Sequence, residues 1–351
     1  MGIGNNQITR RVILAMITFC ISRSSYGAAW AVYWTDSTAA KIQRLNLAAG
    51  DVEDVLTSAN GLIEPRGLAI DVAGGKVYWA DNGTAKIYRA NLDGSDVQNI
   101  VAGLSYPVDI ALDLKEGKVY WADRDAGKIQ YANLDGTGPV EDLITGIYQP
   151  YYIALEPVGG KIYWSDFDNS VIHRANLGGG PVEDFITGLD RVRDIALDTA
   201  AGKIYWGDRD TSKIQRANLN GTDIEDLFNI SDGLSRPHGL ALDLTGGEIY
   251  WTDTRTYAIH RGNINGSGNV EVLVSGLSSP WGIAVLEPYC TTDMLSDFNH
   301  NCKIDFIDFA IFAENWLVGS VWADLANLAE EWLNCNLVPK SACWQQPEPP
   351  F

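Results

Sequence analysis

Apolar and polar residues alternate through most of this chain in short runs, with turn residues between them. Residues 67–101 show the pattern well. Gly67-Leu68-Ala69-Ile70-Asp71 reads as one strand. Lys76-Val77-Tyr78-Trp79 reads as a second, after a Gly74-Gly75 turn. Lys86 to Leu92 and Val97 to Val101 read as the third and fourth, joined by Asp93-Gly94, a hairpin turn signal. Tyr, Trp, Ile and Val suit a half-buried pleated surface. The second strand carries a phrase that recurs six times. Tyr33-Trp34-Thr35-Asp36 is followed by phrases beginning at Tyr78, Tyr120, Tyr163, Tyr205 and Tyr250, spaced by 45, 42, 43, 42 and 45 residues. A period of about 40–45 residues built from short strands is the signature of a propeller blade.

The two ends of the repeat array are unequal in a complementary way. The first phrase has no strand of the Gly67–Asp71 type before it, and the last strand of that type, Trp281 to Leu286, has no phrase after it. Pairing the two completes a sixth blade and shuts the ring, leaving short, protected edges. The expectation is an all-β, six-bladed propeller over residues 30–288, with one blade shared between the two ends.

The six phrases, the third strands such as Lys86-Ile87-Tyr88-Arg89-Ala90-Asn91-Leu92 and the approaches such as Gly67-Leu68-Ala69-Ile70-Asp71 resemble low-density-lipoprotein receptor class B repeats, the YWTD propeller family. The resemblance spans about three quarters of the chain. It implies an extracellular, non-enzymatic propeller that binds a protein ligand.

Composition narrows the picture further. The chain has 351 residues and a formal net charge of −19, which argues against nucleic acid as a partner, since phosphate binding needs a basic footprint. Residues 1–29 read as a secretion signal: Arg10 and Arg11, a short apolar run from Val12 to Ile21, then small residues before a cleavage point. That run is too short for a permanent span, so no membrane span is expected in the mature chain, which is secreted or held at the cell surface. Removing Arg10, Arg11 and Arg23 with no acid takes the charge from −19 to −22. Four cysteines then remain, Cys290, Cys302, Cys335 and Cys343, enough for two disulfides in any of three connectivities.

Residues that recur in every blade serve the repeat itself. Tyr, Trp and Asp of the phrase, the third-strand Asn column and the acids Asp71, Asp113, Glu156, Asp198 and Asp243 are therefore expected to be structural. Ligand contacts belong where the repeats disagree. One variable column follows the usual proline: Arg66, Val108, Tyr151, Arg193, His238 and Trp281. The next reads Gly67, Asp109, Tyr152, Asp194, Gly239 and Gly282. Both columns should lie at the axial mouth of one face, joined by Arg124, Asp125, Phe167, Asp168, Arg209, Asp210 and Arg255 from the loops after each phrase. Tyr, Trp and Arg dominate binding hot spots. The candidate ligand-binding residues are Arg66, Asp109, Tyr151, Tyr152, Arg193, Asp194, His238 and Trp281. An exported propeller enzyme acting on a lactone or polysaccharide fragment would instead use Asp109, Asp194 and His238. A surface scaffold would use none of them. No nucleophile elbow, HExxH or phosphate loop is present.

Composition changes after Pro288. Asp297, Asn299, Asn301, Lys303, Asp305 and Asp308 fall at positions 1, 3, 5, 7, 9 and 12 of a loop, Lys303 offering its backbone carbonyl. This is EF-hand-like spacing for one Ca²⁺, a hard cation that takes oxygen ligands. Two helical runs follow, Asp308 to Leu317 and Asp324 to Leu333. Residues 289–338 thus resemble a type I dockerin, a small helical segment that implies a docking partner. Cys302 stands where the loop usually has Gly. Residues 339–351, rich in Pro, read as a disordered tail.

Overall fold

The computed structural model describes residues 31–286. Within them lie 24 strands in six four-stranded antiparallel sheets. The signal segment, the calcium-loop residues Asp297 to Asp308, the four cysteines and the helical tail lie outside the described residues.

The second blade shows how sequence becomes sheet. Its strands are Pro65–Asp71, Lys76–Asp81, Lys86–Asn91 and Gln98–Ala102, each within two residues of the runs read from the pattern. The ring closes through Pro280–Leu286, which pairs antiparallel with Ala31–Asp36 so that Val32 faces Val285 and Trp34 faces Ile283. Asp36 reinforces the seam by accepting from the backbone amides of Ser278 at 2.7 Å and Ser279 at 2.9 Å.

The Tyr-Trp pair explains why blades stack. Successive side chains of a strand point to opposite faces. Each Trp therefore packs toward one neighbouring blade and each Tyr toward the other. Trp79 shares a core with Tyr33, Trp121 with Tyr78, Trp164 with Tyr120, Trp206 with Tyr163 and Trp251 with Tyr205. Trp34 with Tyr250 completes the circle. Burying one such ring contributes roughly 1.5–3 kcal/mol.

The other recurring residues tie strands and blades. The phrase Asp caps the loop before its own blade and the turn after the phrase: Asp81 accepts from the amides of Ile63 and Glu64 in the first and of Thr84 in the second. The third-strand Arg reaches the next blade, as Arg89 does to the Leu134 carbonyl at 2.9 Å and Arg216 to the Ile264 carbonyl at 3.2 Å. The second-strand Lys holds the third-strand Asn, as Lys76 holds Asn91 at 2.6 Å. His173 and His260 lie against the indoles of Trp164 and Trp251, with ring centroids 5.5 Å apart in both.

Candidate functional site at the axial mouth

The site begins with a break in register. In every blade the pairing between the innermost strand and the phrase strand shifts near the end where the usual proline stands, as between Pro65 and Leu68 or between Val192 and Ile195. A bulge re-aims side chains that regular pleating would send into the sheet. Here it turns both variable columns toward the axis.

In five of the six blades the second column divides in two by chemistry; the remaining blade pairs Gly67 with Ala80. Where the third residue of the phrase is Thr or Ser, its hydroxyl ties the bulge. Thr35 accepts from the Gly282 amide and donates to the Arg66 carbonyl of the next blade at 2.6 Å. Thr252 does the same between Gly239 and Trp281, and Ser165 accepts from the Tyr152 amide. Where that residue is Ala122 or Gly207, the column carries Asp. Asp109 then accepts from the Ile153 amide of the next blade at 3.0 Å, and Asp194 from the Leu240 amide at 2.8 Å. Hydroxyl and carboxylate are two solutions to one linkage. Gly67 is required for a simpler reason: a Cβ there would lie 2.0 Å from an Asp109 carboxyl oxygen.

Burial sets the electrostatics. It raises the Asp109 carboxyl to about 7, against the two amide bonds that pull the other way. Burial also pushes Asp194 well above the usual carboxylate range, with the charge of Asp109 adding to it. His238 goes the other way: burial, then the guanidiniums of Arg193, Arg66 and Arg209, hold it well below its ordinary value. The neutral imidazole is the natural acceptor for the Tyr152 hydroxyl, 2.5 Å from its Nδ1. Burial raises Tyr152 well above the ordinary tyrosine range.

The first column forms an aromatic and guanidinium cluster. The Trp281 ring lies 6.2 Å from Tyr151 and 4.1 Å from His238, centroid to centroid. Arg66 stacks 3.4 Å over Trp281 and pairs with Glu64. Arg193 lies 3.9 Å from the Phe167 ring centroid and 4.8 Å from that of Tyr151. Arg191 and Arg209 approach the same Phe167 ring, at 5.4 Å and 5.8 Å, and share Asp210. Among the described residues, Arg193 Nε and Nη1 and Arg66 Nε make no hydrogen bond.

The structure therefore brings together all eight residues expected at the mouth, but as a packed plug. Arg66, Asp109, Tyr151, Tyr152, Arg193, Asp194 and His238 are buried, and Trp281 is half-buried. The mouth is not an open ring of solvated side chains, because the bulges turn these residues inward, where stacked rings cover the guanidiniums. Sequence reading passed over Glu64, Tyr106, Arg191 and Arg236. They form a third variable column, one position before the usual proline, and that variability was the available signal. Asp109 and Asp194 are both held by amides of the next blade, which ties them to the ring's construction. Among the described residues no group of three or more His, Cys, Asp or Glu side chains gathers as a metal site.

These features define a six-bladed β-propeller whose blades carry the repeated Tyr-Trp-x-Asp phrase. The family described as low-density lipoprotein receptor repeat class B matches residues 202–244. No curated protein matches the chain. Among solved structures, the crystal structure of a nidogen/laminin complex contains a chain similar at TM-score 0.65 and 23% identity, covering 74% of this chain and 99% of that one. A structural genomics protein of unknown function from Bacteroides thetaiotaomicron VPI-5482 is similar at TM-score 0.53 and 14% identity, covering 64% of this chain and 66% of that one. At these identities the likeness is one of fold. No helix among the described residues is long and apolar enough to cross a membrane.

Proposed function

We propose that this chain is a secreted, non-enzymatic propeller that binds a protein ligand at its axial mouth. The observation that carries the reading is Arg193, a buried guanidinium stacked on aromatic rings, two of whose nitrogens have no acceptor among the described residues. A buried guanidinium paired with no acid is costly to a fold, and a role in binding accounts for that cost. Tyr151, Phe167, Trp281 and the surrounding arginines are hot-spot residue types. YWTD propellers are typically binding modules, and one solved relative of this fold comes from a nidogen/laminin complex.

The test is capture from culture medium with the full chain, beside an Arg193→Gln/Arg209→Gln variant and a Lys128→Gln variant on the outer rim. Partners retained by the wild type and the rim variant but lost by the mouth variant support the reading. Equal recovery by all three removes it. For the tail, the proposal is one Ca²⁺ held by Asp297, Asn299, Asn301, Lys303, Asp305 and Asp308, with the segment serving to dock or assemble the protein. Calorimetric titration should give a heat that Asp297→Ala abolishes; no heat from the wild type would sink that proposal.

A further inference from the structure

Resting on the reading that the chain is secreted, we infer a modification site on the face opposite the mouth: Asn220 and Asn265 accept N-linked oligosaccharide on their side-chain amide nitrogens. Four asparagines stand in the Asn-x-Ser/Thr sequence that such a transfer requires: Asn82, Asn220, Asn229 and Asn265. The fold separates them into two pairs.

Asn220 and Asn265 lie in the hairpins that join the third and fourth strands of two successive blades. In the first of these blades, Val192 opposite Asp208 marks the mouth end of the sheet and Lys203 opposite Asn218 the far end. The hairpin after Asn218 therefore projects from the far face. Glu248 opposite Asn263 places the second hairpin likewise. Comparison round the ring shows what the turn itself needs. Two other blades carry Asp93 and Asp135 at this position. Asp93 accepts from the Ser95 amide at 2.9 Å and hydroxyl at 2.6 Å, and Asp135 from those of Thr137 at 2.9 Å and 2.6 Å. The hydroxyl bond, then the amide bond, hold both carboxyls below their ordinary value. Asn220 makes the same two bonds with Thr222, at 3.0 Å and 2.8 Å, and Asn265 accepts from the Ser267 amide at 2.8 Å. A carboxylate closes this turn with charge-assisted bonds, so the turn does not call for Asn. What Asn adds is an NH₂ group. Among the described residues that group donates to no protein acceptor at Asn220 or Asn265, and both residues, with Thr222 and Ser267, are exposed.

The other two asparagines face the mouth side and are half-buried. Asn82 follows Asp81 at the mouth end of its blade, and its amide nitrogen donates to Glu64 at 2.5 Å. Asn229 caps the short turn Ile230–Asp232 by accepting from the Ser231 amide at 2.8 Å, a task that Thr57 performs before Ser58–Asn60. The folded chain can therefore carry sugar on the far face and keep the mouth clear. In the transfer, Asn Nδ2 bonds to the anomeric carbon of a lipid-pyrophosphate-linked oligosaccharide. The bond from that carbon to the pyrophosphate oxygen breaks, the lipid pyrophosphate leaves with the electron pair, and one Nδ2 proton passes to a base.

The test expresses the full chain, residues 1–29 included, in a secretory eukaryotic cell. Medium and lysate are mapped by peptide mass spectrometry before and after peptide N-glycosidase. Chain from the medium should carry oligosaccharide at Asn220 and Asn265, with Asn82 and Asn229 bare, and the glycosidase should leave Asp at the two released positions. Asn220→Asp and Asn265→Asp, which copy the turn of Asp93, should each remove one glycan and leave the secreted yield unchanged. Thr222→Ser should keep the glycan on Asn220, and Thr222→Ala should lose it. Chain in the medium that is bare at both positions, or that carries sugar at Asn82 or Asn229 instead, overturns the inference and leaves secretion intact. Sugar that persists on Asn220 in Thr222→Ala overturns it as well. Chain held in the lysate with residues 1–29 still attached contradicts secretion, and the inference falls with it.

Discussion

The outer rim of the propeller and its axial mouth treat charge in opposite ways. On the rim a cation of the third strand faces an acid of the fourth. Lys41 meets Asp54 at 2.8 Å, Lys128 meets Asp142 at 2.8 Å, and Lys213 meets Asp226 at 2.7 Å. These pairs are half in water, where each contributes about 0–1 kcal/mol. At the mouth, Arg193 is buried and no acid pairs with it among the described residues. The rim repeats from blade to blade because any blade needs it. The mouth does not repeat, and its charge works against the fold that holds it. On the proposed function, Arg193 serves binding and the rim and phrase residues serve stability, and substitutions should separate the two.

The largest effect belongs to the repeat itself. Trp164→Ala removes a fully buried indole from the core it shares with Tyr120 and Ile153, and should cost about 3–5 kcal/mol in urea denaturation. A cost under about 1 kcal/mol would mean that the phrase does not hold the blades together. Next comes the seam. Asp36→Ala strips the Ser278 and Ser279 amides of their acceptor and should cost about 1–3 kcal/mol, with hydrogen exchange quickening at those two amides.

Rim and interior also answer pH with opposite signs. The Lys41, Lys128 and Lys213 ammoniums hold the Asp54, Asp142 and Asp226 carboxyls below their ordinary value, so this contribution is lost as pH falls below about 4. Asp109 behaves inversely. Its folded value of about 7 exceeds the ordinary 3.8, so the folded state binds the extra proton and stability falls as pH rises between the two. Asp109→Asn keeps an acceptor for the Ile153 amide and cannot ionise. Its stability should change less than that of wild type across this window, and an unaltered slope would count against Asp109 as the source. The smallest change is on the rim: Lys213→Gln should cost no more than about 1 kcal/mol and leave partner capture untouched, though Lys213 pairs with Asp226 at 2.7 Å.

Much of the ring was legible in the sequence because its code is periodic. Six phrases gave the blade count, and the unmatched strand from Trp281 to Leu286 gave the seam. The roles of Asp81 as a turn cap and of Trp and Tyr as packing residues followed from recurrence alone. The membership of the mouth was legible too, since both variable columns arrive there. Its burial was not. Whether Arg193 faces water or an indole depends on six bulges and on rings brought from other blades, such as Phe167 and Trp281, and no local pattern encodes such a meeting. The exchange of Thr35 or Thr252 for Asp109 or Asp194 as the inter-blade tie was visible only once partners across blades were known.

One substitution puts the separation to a direct test. Arg193→Met keeps the bulk against Phe167 and removes the buried charge. Replacing a buried charged group by an apolar one of similar volume is often neutral or stabilising. Urea denaturation should therefore place Arg193→Met within about 1 kcal/mol of wild type or above it, while partner capture is lost. A loss of more than about 2 kcal/mol with capture intact would show that Arg193 belongs to the fold, and would contradict the account.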